Sequence, residues 1–261
     1  MKSFQSLKYK NIMKTIILLI ILMVSVGHPL IAQQFKISKN SGRLEIQTGR
    51  VTVEGYNGNE IIFTARDGQK RKDERAQGLR EINSLGLEDN TGLGINVDDN
   101  GGVITVRQLK KMESPDIRIQ VPKGVIVSYS HESQYGGKAH FRDMENEIEV
   151  SAQYNSVELE NITGPATIKT IYGHVEATFD QTVKGPISIV SIYGYVDVTI
   201  PAATKANLRV STSYGEIFVA PELKIEMEKS ADSDRVSGKL NGGGLSMDLS
   251  CNYGKIYLRK K

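Results

Sequence analysis

A short phrase built around a tyrosine recurs along the carboxy-terminal half of this chain and limits the folds that the chain can adopt. Four copies read TIYGHVEATF, SIYGYVDVTI, TSYGEIFVA and CNYGKIYL. Alignment of the copies places the tyrosine at Tyr154, Tyr172, Tyr193, Tyr214 and Tyr253. The separations are 18, 21, 21 and 39 residues, and the last is close to two units. Tandem units of about 20 residues are typical of stacked repeat folds.

Each unit predicts two short strands joined at a corner. Apolar or small residues stand two, four and six positions before the tyrosine, and apolar residues stand three and five positions after it. A strand shows one face every second residue, so this change of phase predicts a bend just after the tyrosine. The residue there is glycine in four copies and Asn155 in the first. We expect it to adopt a positive φ, which these two residue types tolerate best.

Stacking of such units predicts an all-β fold, specifically a β-solenoid. This is a single-stranded β-helix-like stack of rungs of about 20 residues, with mostly parallel pairing between rungs. Within SIYGYVDVTI and its preceding strand, Ile187, Ile189, Val196 and Val198 should face inward. The tyrosines should point inward or to the corner, with Tyr193 in a ladder with Tyr172 and Tyr214. The alternative fold is a β-sandwich of antiparallel hairpins.

The strand pattern also predicts the division of the chain. Alternating strands and turn residues across 33–127 indicate an amino-terminal β sub-lobe, and residues 128–261 form a tandem β-repeat region continuous with it. The segment 221–244 is either a surface loop or a degenerate rung.

The first 32 residues are typical of a secretory signal. Four lysines precede an apolar run at Ile16–Val26, and Ala32 offers a small residue for cleavage. An uncleaved amino-terminal anchor is the alternative. Without 1–32 the chain has 29 basic and 30 acidic residues, which argues against a nucleic-acid partner. We expect an exported protein, periplasmic, surface-exposed or secreted, with no transmembrane span after cleavage.

The sequence contains few signs of catalytic chemistry. His131, His140 and His174 follow the signal, but no HExxH, GxSxG or paired CxxC pattern is present. The sequence therefore predicts no catalytic residues, no cofactor and no metal site. A candidate binding face remains in the outward positions of the repeats, where aromatic, apolar and acidic residues recur. Its members are Ile171, His174, Glu176, Ile192, Tyr195, Asp197 and Phe218.

The order of these phrases resembles a known bacterial group. DIRIQVPKGVIVSYS, the serial YG units and the closing LNGGGLSMDLSCNYGKIYLRKK are together similar to the "putative adhesin" family of exported β-strand-repeat domains of unknown function. The resemblance covers roughly residues 85–261. It implies an exported, β-solenoid-like domain with no assigned catalytic residues, and it supplies no site residues.

Three functions are consistent with these features. The first is a non-enzymatic adhesin or cell-envelope module that presents a rigid β surface to a protein or glycan partner. The second is a carbohydrate-active β-helix enzyme, for which Glu158, Glu176, Asp197 and His174 are the candidate cluster. The third is an envelope accessory that senses or signals by binding.

The single cysteine tests the repeat alignment. Cys251 stands where the other units have Ala152, Thr170, Ser191 and Thr212, so it should occupy a narrow inner position. We expect Cys251→Ser to be tolerated and Cys251→Phe to destabilise the fold, because the added ring has no room. Thermal unfolding checks both. A Cys251→Phe variant that melts like the wild type would show the alignment to be wrong.

Overall fold

The computed structural model describes residues 33–66, 74–79, 82–228 and 235–261, so the predicted signal at 1–32 lies outside the described residues. Nearly all of the regular structure is strand, apart from a turn of 3-10 helix at Glu74–Ala76.

The strands are numbered here in chain order. They are β1 (Gln34–Ile37), β2 (Gly42–Gln47), β3 (Val51–Tyr56), β4 (Ile61–Ala65), β5 (Ile95–Asn100), β6 (Val103–Gln108), β7 (Ile117–Pro122), β8 (Val125–His131), β9 (Lys138–Arg142), β10 (Ile148–Ala152), β11 (Ser156–Glu160), β12 (Ala166–Thr170), β13 (Val175–Thr178), β14 (Ile187–Ser191), β15 (Val196–Ile200), β16 (Ala206–Thr212), β17 (Ile217–Val219), β18 (Ile225–Met227), β19 (Arg235–Leu240), β20 (Leu245–Cys251) and β21 (Ile256–Lys260).

These strands form two sheets. Sheet A has the order β1-β4-β7-β3-β9-β11-β13-β15-β21-β17, and sheet B has the order β18-β19-β16-β20-β14-β12-β10-β8-β2-β6-β5. Each rung gives its first strand to sheet B and its second to sheet A, as in β12 and β13. Neighbouring rungs pair in parallel and in register, for example Ile168 with Ile189 and Val175 with Val196. This confirms the β-solenoid and excludes a sandwich of antiparallel hairpins.

The rungs do not stack in chain order. The last rung, β20 and β21, lies between the rung of β14 and β15 and the rung of β16 and β17. The first rung, β2 and β3, likewise lies between β6 and β7 on one side and β8 and β9 on the other. The amino-terminal strands therefore belong to the same two sheets. The units of Tyr193 and Tyr214, which were predicted to be neighbours in the ladder, are therefore separated by the last rung.

Antiparallel strands close three of the four sheet ends. In sheet A, β4 pairs with β7 and β1 pairs with β4. In sheet B, β5 pairs with β6 at one end, while β19 pairs with β16 and β18 with β19 at the other. The segment 221–244 thus contributes β18 and β19 to this cover. The outermost strand is short at two of these ends, with four residues in β1 and three in β18, and a short edge strand presents few free backbone groups for pairing with another chain.

The core consists of inward columns that run from rung to rung. Ile187, Ile189, Val196 and Val198 are all fully buried, as the period of the sequence predicts. Their register partners in the other rungs belong to the same continuous core. Burial of a large aliphatic side chain stabilises a fold by about 1.5–3 kcal/mol, so these columns are the main source of stability.

The glycines after the tyrosines are needed for a different reason from the one expected. Gly173, Gly194, Gly215 and Gly254 do not have positive φ angles. Instead, a Cβ built on any of them would lie under 3.0 Å from a backbone oxygen of the neighbouring rung. The expected left-handed corner is therefore wrong. Glycine is required because the rungs approach most closely at the corner and leave no room for a side chain.

The small inner position two residues before the tyrosine supports the same corner. The Thr170 and Ser191 hydroxyls donate to the Gly173 carbonyl at 2.8 and 3.0 Å, and the Cys251 thiol lies 3.2 Å from the Gly194 carbonyl. Cys251 is fully buried, where the repeat alignment placed it. Small hydroxyl and thiol side chains recur here because they fit and donate to carbonyls that the sheets leave free.

The corner glycines give a stability prediction. We expect Gly254→Ala to lower the free energy of unfolding by about 3 kcal/mol or more, the upper range for overpacking, because its Cβ meets the Gly194 carbonyl. Gly86→Ala is the control, since Gly86 has open space but a φ of +76° and should lose only about 1–2 kcal/mol. Urea unfolding measures both. Equal losses would contradict the close-approach explanation.

One inner position holds a titratable group. His131 is buried at the end of β8, where its Nδ1 lies 2.7 Å from the Asn155 side-chain oxygen. Its Nε2 is buried without a hydrogen-bond partner in the described part of the chain. Burial lowers the pKa of His131, and the Asn155 hydrogen bond and nearby Glu132 oppose this only in part. The neutral imidazole is therefore the form that the fold accommodates.

This histidine makes stability depend on pH. The unfolded chain titrates near the ordinary histidine value of about 6.5 and binds a proton more readily than the folded chain does. The contribution of neutral His131 is therefore complete above that pH and is lost as pH falls toward the lowered folded pKa. Urea unfolding should give a lower free energy near pH 5.5 than near pH 7.5. His131→Gln should reduce this difference, and a variant with the same difference as the wild type would contradict the assignment.

Candidate binding surface: the tyrosine ladder and the outer face of sheet A

The repeated tyrosines form a ladder at the corner between the two sheets. The rings of Tyr154, Tyr172, Tyr193, Tyr253 and Tyr214 follow one another in that spatial order, with centroids 5.0–5.2 Å apart and interplanar angles of 10–16°. All five side chains are exposed, by 44–76%. Tyr193 thus contacts Tyr172 as expected, but its other neighbour is Tyr253 rather than Tyr214. Of the two expected orientations, inward or to the corner, the rings adopt the second, because they project into solvent from the corner.

Backbone hydrogen bonds between rungs hold four of the five ladder tyrosines in place. The amides of Tyr172, Tyr193 and Tyr253 donate at 2.8–2.9 Å to carbonyls of the neighbouring rung, and Tyr214 repeats the contact on Asn252. The adjacent glycine lets the corners approach closely enough for neighbouring rings to stack. Such aromatic pairs contribute about 0.5–1.5 kcal/mol each beyond area burial. The ladder is therefore an ordered ridge, not a set of independent side chains.

The ladder exposes ring edges and hydroxyl groups. Each inner ring has a neighbouring ring against both of its faces, so it presents its edge and its hydroxyl group to solvent. Within the described residues, none of the five phenol hydroxyls has a hydrogen-bond partner. The ridge therefore offers a line of groups that can each donate and accept a hydrogen bond.

An uncharged column flanks the ladder on the side of sheet B. It contains the residue before each tyrosine, and most of these residues are half-buried: Gln153, Ile171, Ile192, Asn252 and Ser213. The candidate residues Ile171 and Ile192 lie in this column. Together with the ladder, the column makes a continuous strip without formal charge, defined here as the ladder strip.

The other candidate residues lie on the outer face of sheet A, where a second aromatic row crosses the rungs. The His174 and Tyr195 rings stack at 4.6 Å, Tyr195 meets Tyr257 edge-on at 6.4 Å, and Tyr257 stacks on Phe218 at 5.4 Å. Arg259 lies over the Tyr257 ring at 5.1 Å, and Lys255 over Phe218 at 5.6 Å. Cations at these distances are attracted to the aromatic faces.

The acidic residues of this face are paired. Asp197 accepts hydrogen bonds from Arg259 at 2.7 and 2.9 Å, and Glu176 accepts one from the Tyr195 hydroxyl. Burial and the bond to Glu176 raise the pKa of Tyr195 to about 12. A hydrogen bond from Lys138 lowers the pKa of Glu158, and that lysine nitrogen lies 2.9 Å from the carboxylate. Each carboxylate therefore stabilises the face instead of standing free.

The seven candidate residues thus divide into two groups. His174, Glu176, Tyr195, Asp197 and Phe218 share the outer face of sheet A, whereas Ile171 and Ile192 lie beside the ladder. The ladder tyrosines were not among the predicted surface residues, because the corner interrupts the two-residue alternation. Tyr135, a half-exposed residue followed by Gly136 in the turn between β8 and β9, was not predicted either. The Tyr-Gly step was the available signal.

The described residues contain no group of three or more histidine, cysteine, aspartate or glutamate side chains able to hold a metal ion. The Cys251 thiol is buried, and burial raises its pKa, which disfavours the reactive thiolate. Among the described residues there is also no helix that is both long and apolar enough to span a membrane.

Known proteins show which family this chain belongs to. No curated protein matches the chain. One similar solved structure is a "putative cell adhesion protein" from Clostridium sporogenes, with 10% identity, a TM-score of 0.45, and coverage of 88% of this chain and 100% of that one. Another is a "putative adhesin" from Bacteroides fragilis, with 9% identity, a TM-score of 0.34, and coverage of 87% and 96%. The family model described as Toastrack DUF4097 matches residues 32–259, and the chain therefore belongs to this family of β-repeat domains of unknown function.

Proposed function

We propose that this chain is an exported, non-enzymatic, adhesin-like module that binds a partner in the cell envelope or outside the cell. Its contact surface comprises the ladder strip and the adjoining outer face of sheet A. The candidate residues Ile171, His174, Glu176, Ile192, Tyr195, Asp197 and Phe218 belong to this surface. The observation that carries the proposal is the pair of ordered aromatic rows along the same side of the stack.

The physical character of this surface supports binding. Contiguous exposed aromatic side chains are uncommon on proteins without a partner. Tyrosine is enriched at binding hot spots because it contributes a large contact area and a polar group for little conformational entropy. Here the backbone pairing of the rungs already orders the side chains. A partner therefore meets a preformed surface and loses less free energy to ordering on binding.

Export is proposed from the amino-terminal sequence. The four lysines, the apolar run at Ile16–Val26 and the small residue Ala32 support a signal that is removed after transport. A chain without 1–32 has nearly balanced charge, which suits contact through aromatic and hydroxyl groups more than through long-range electrostatic attraction.

The acidic cluster does not favour a carbohydrate-active enzyme. A general acid needs a carboxyl group with a raised pKa, whereas the pKa of Glu158 is lowered by Lys138. Asp197 is held by Arg259, and Glu176 accepts a hydrogen bond from Tyr195. These partners support a structural role for the three carboxylates on the outer face of sheet A.

Binding of purified residues 33–261 to intact bacteria and to isolated envelopes tests the proposal. We expect saturable binding that falls about tenfold or more in Tyr172→Ser/Tyr193→Ser or in His174→Ala/Phe218→Ser, because each pair interrupts one aromatic row. Thr167→Ala/Ser188→Ala on the outer face of sheet B is the matched control and should bind normally. Thermal unfolding confirms that the variants remain folded.

Two outcomes would contradict the proposal. One is the absence of saturable binding to either preparation. The other is glycoside hydrolase or lyase turnover that is lost in Glu176→Gln.

A further inference from the structure

We propose that the ladder strip binds an extended, uncharged, β-linked polysaccharide that lies parallel to the axis of the stack, with one sugar ring per rung. This inference deepens the proposed function, on which it rests, by naming the class of ligand. It arises from three properties of the strip, namely its repeat distance, its lack of charge and its unpaired hydroxyl groups.

The repeat distance selects among polymers. Successive ladder rings are 5.0–5.2 Å apart, so a polymer along the ladder places one unit on every rung only if its own unit advances by about that distance. An extended polypeptide advances about 3.3 Å per residue and repeats its side-chain direction after about 6.6 Å, so it soon falls out of register. A chain of sugar rings joined by diequatorial β-linkages is nearly straight and advances by one ring over about one rung. Successive rings are turned over, so the chain keeps one ring on each rung and repeats its orientation on every second rung.

The absence of charged residues from the ladder strip limits the class of ligand further. The strip contains no Lys, Arg, Asp or Glu, since it consists of the five tyrosines and of Gln153, Ile171, Ile192, Asn252 and Ser213. On the other side of the ladder, Lys255 and Glu216 form an ion pair at 2.8 Å and so largely neutralise each other. An anionic polymer such as a nucleic acid or a polyuronate gains little attraction from such a strip. A neutral polysaccharide does not depend on electrostatic attraction to the strip.

The exposed hydroxyls supply the contacts. The inner rings cover one another, so a sugar meets ring edges and phenol hydroxyls rather than a free aromatic face. Each hydroxyl can donate to and accept from the hydroxyl groups of one sugar. A single such contact is weak. Once one sugar of a chain is bound, however, the contacts of the next sugars form at a high effective concentration, so the affinity rises with chain length. The strip should therefore discriminate by the length and the linkage of the polymer.

Calorimetric or NMR titration of residues 33–261 with cello-oligosaccharides and fully N-acetylated chito-oligosaccharides, from disaccharide to hexasaccharide, tests this inference. Each added sugar should tighten binding about two- to tenfold until five sugars match the five rungs, after which affinity should level off. Maltohexaose, whose α-linkages coil the chain, should bind at least about tenfold more weakly than cellohexaose.

Removal of the hydroxyls alone provides the matched test. The variant Tyr172→Phe/Tyr193→Phe/Tyr253→Phe retains the stacked rings and should keep the wild-type melting temperature, yet it should lose the dependence on oligosaccharide length. Ser188→Ala removes a hydroxyl from the opposite side of the Tyr193 rung and should bind as the wild type does. Length-independent binding, or unchanged binding by the triple variant, would overturn the inference.

The two proposals fail in distinguishable ways. If no neutral β-linked oligosaccharide binds but the ladder variants still lose attachment to cells or envelopes, only the ligand class is wrong. If attachment to cells and envelopes is also absent, the proposed function itself fails.

Discussion

Parallel backbone pairing between rungs is the interaction on which the rest of this structure depends. It places equivalent residues of successive units directly beside one another, as Ile168 beside Ile189 and Glu176 beside Asp197. The same register builds the buried columns, the corner carbonyl contacts and the exposed tyrosine ladder. The corner glycines permit this register, since a side chain there would meet the backbone of the next rung. The surface spacing is thus a consequence of the core pairing.

The core and the proposed binding surface meet at the same corner. On the inner side, Thr170, Ser191 and Cys251 donate to or contact carbonyls that the strand pairing leaves available. On the outer side, the tyrosines use the same close approach to stack. A change in a glycine should therefore disturb both the core and the contact surface, whereas removal of a tyrosine hydroxyl affects the surface alone. This separation allows the binding proposals to be tested without loss of the fold.

The parts of the structure that depend on local periodicity could be predicted from the sequence. Residues such as Ile187 and Val196 are buried because the two-residue alternation places them inward, and the phase change after the tyrosine marks the passage from one sheet to the other. The order of the rungs could not be predicted from this local pattern. The unit that contains Tyr253 has inner residues compatible with either neighbour, so local pattern cannot decide that it lies between the units of Tyr193 and Tyr214. The reason for the glycines also depends on contacts between rungs.

The placement of the first and last rungs inside the stack has a consequence for how the chain reaches its native state. The rungs of β2 and β3 and of β20 and β21 each pair with strands on both sides, and those partners lie far away in sequence. A solenoid whose rungs stack in chain order can fold progressively from one end, because each new rung docks on the rung before it. Here, loops must close over long separations before the end rungs find their places, which raises contact order and slows folding. Lengthening this stack by repeat duplication would likewise require insertion within the interior of the sequence, between rungs such as β12–β13 and β14–β15.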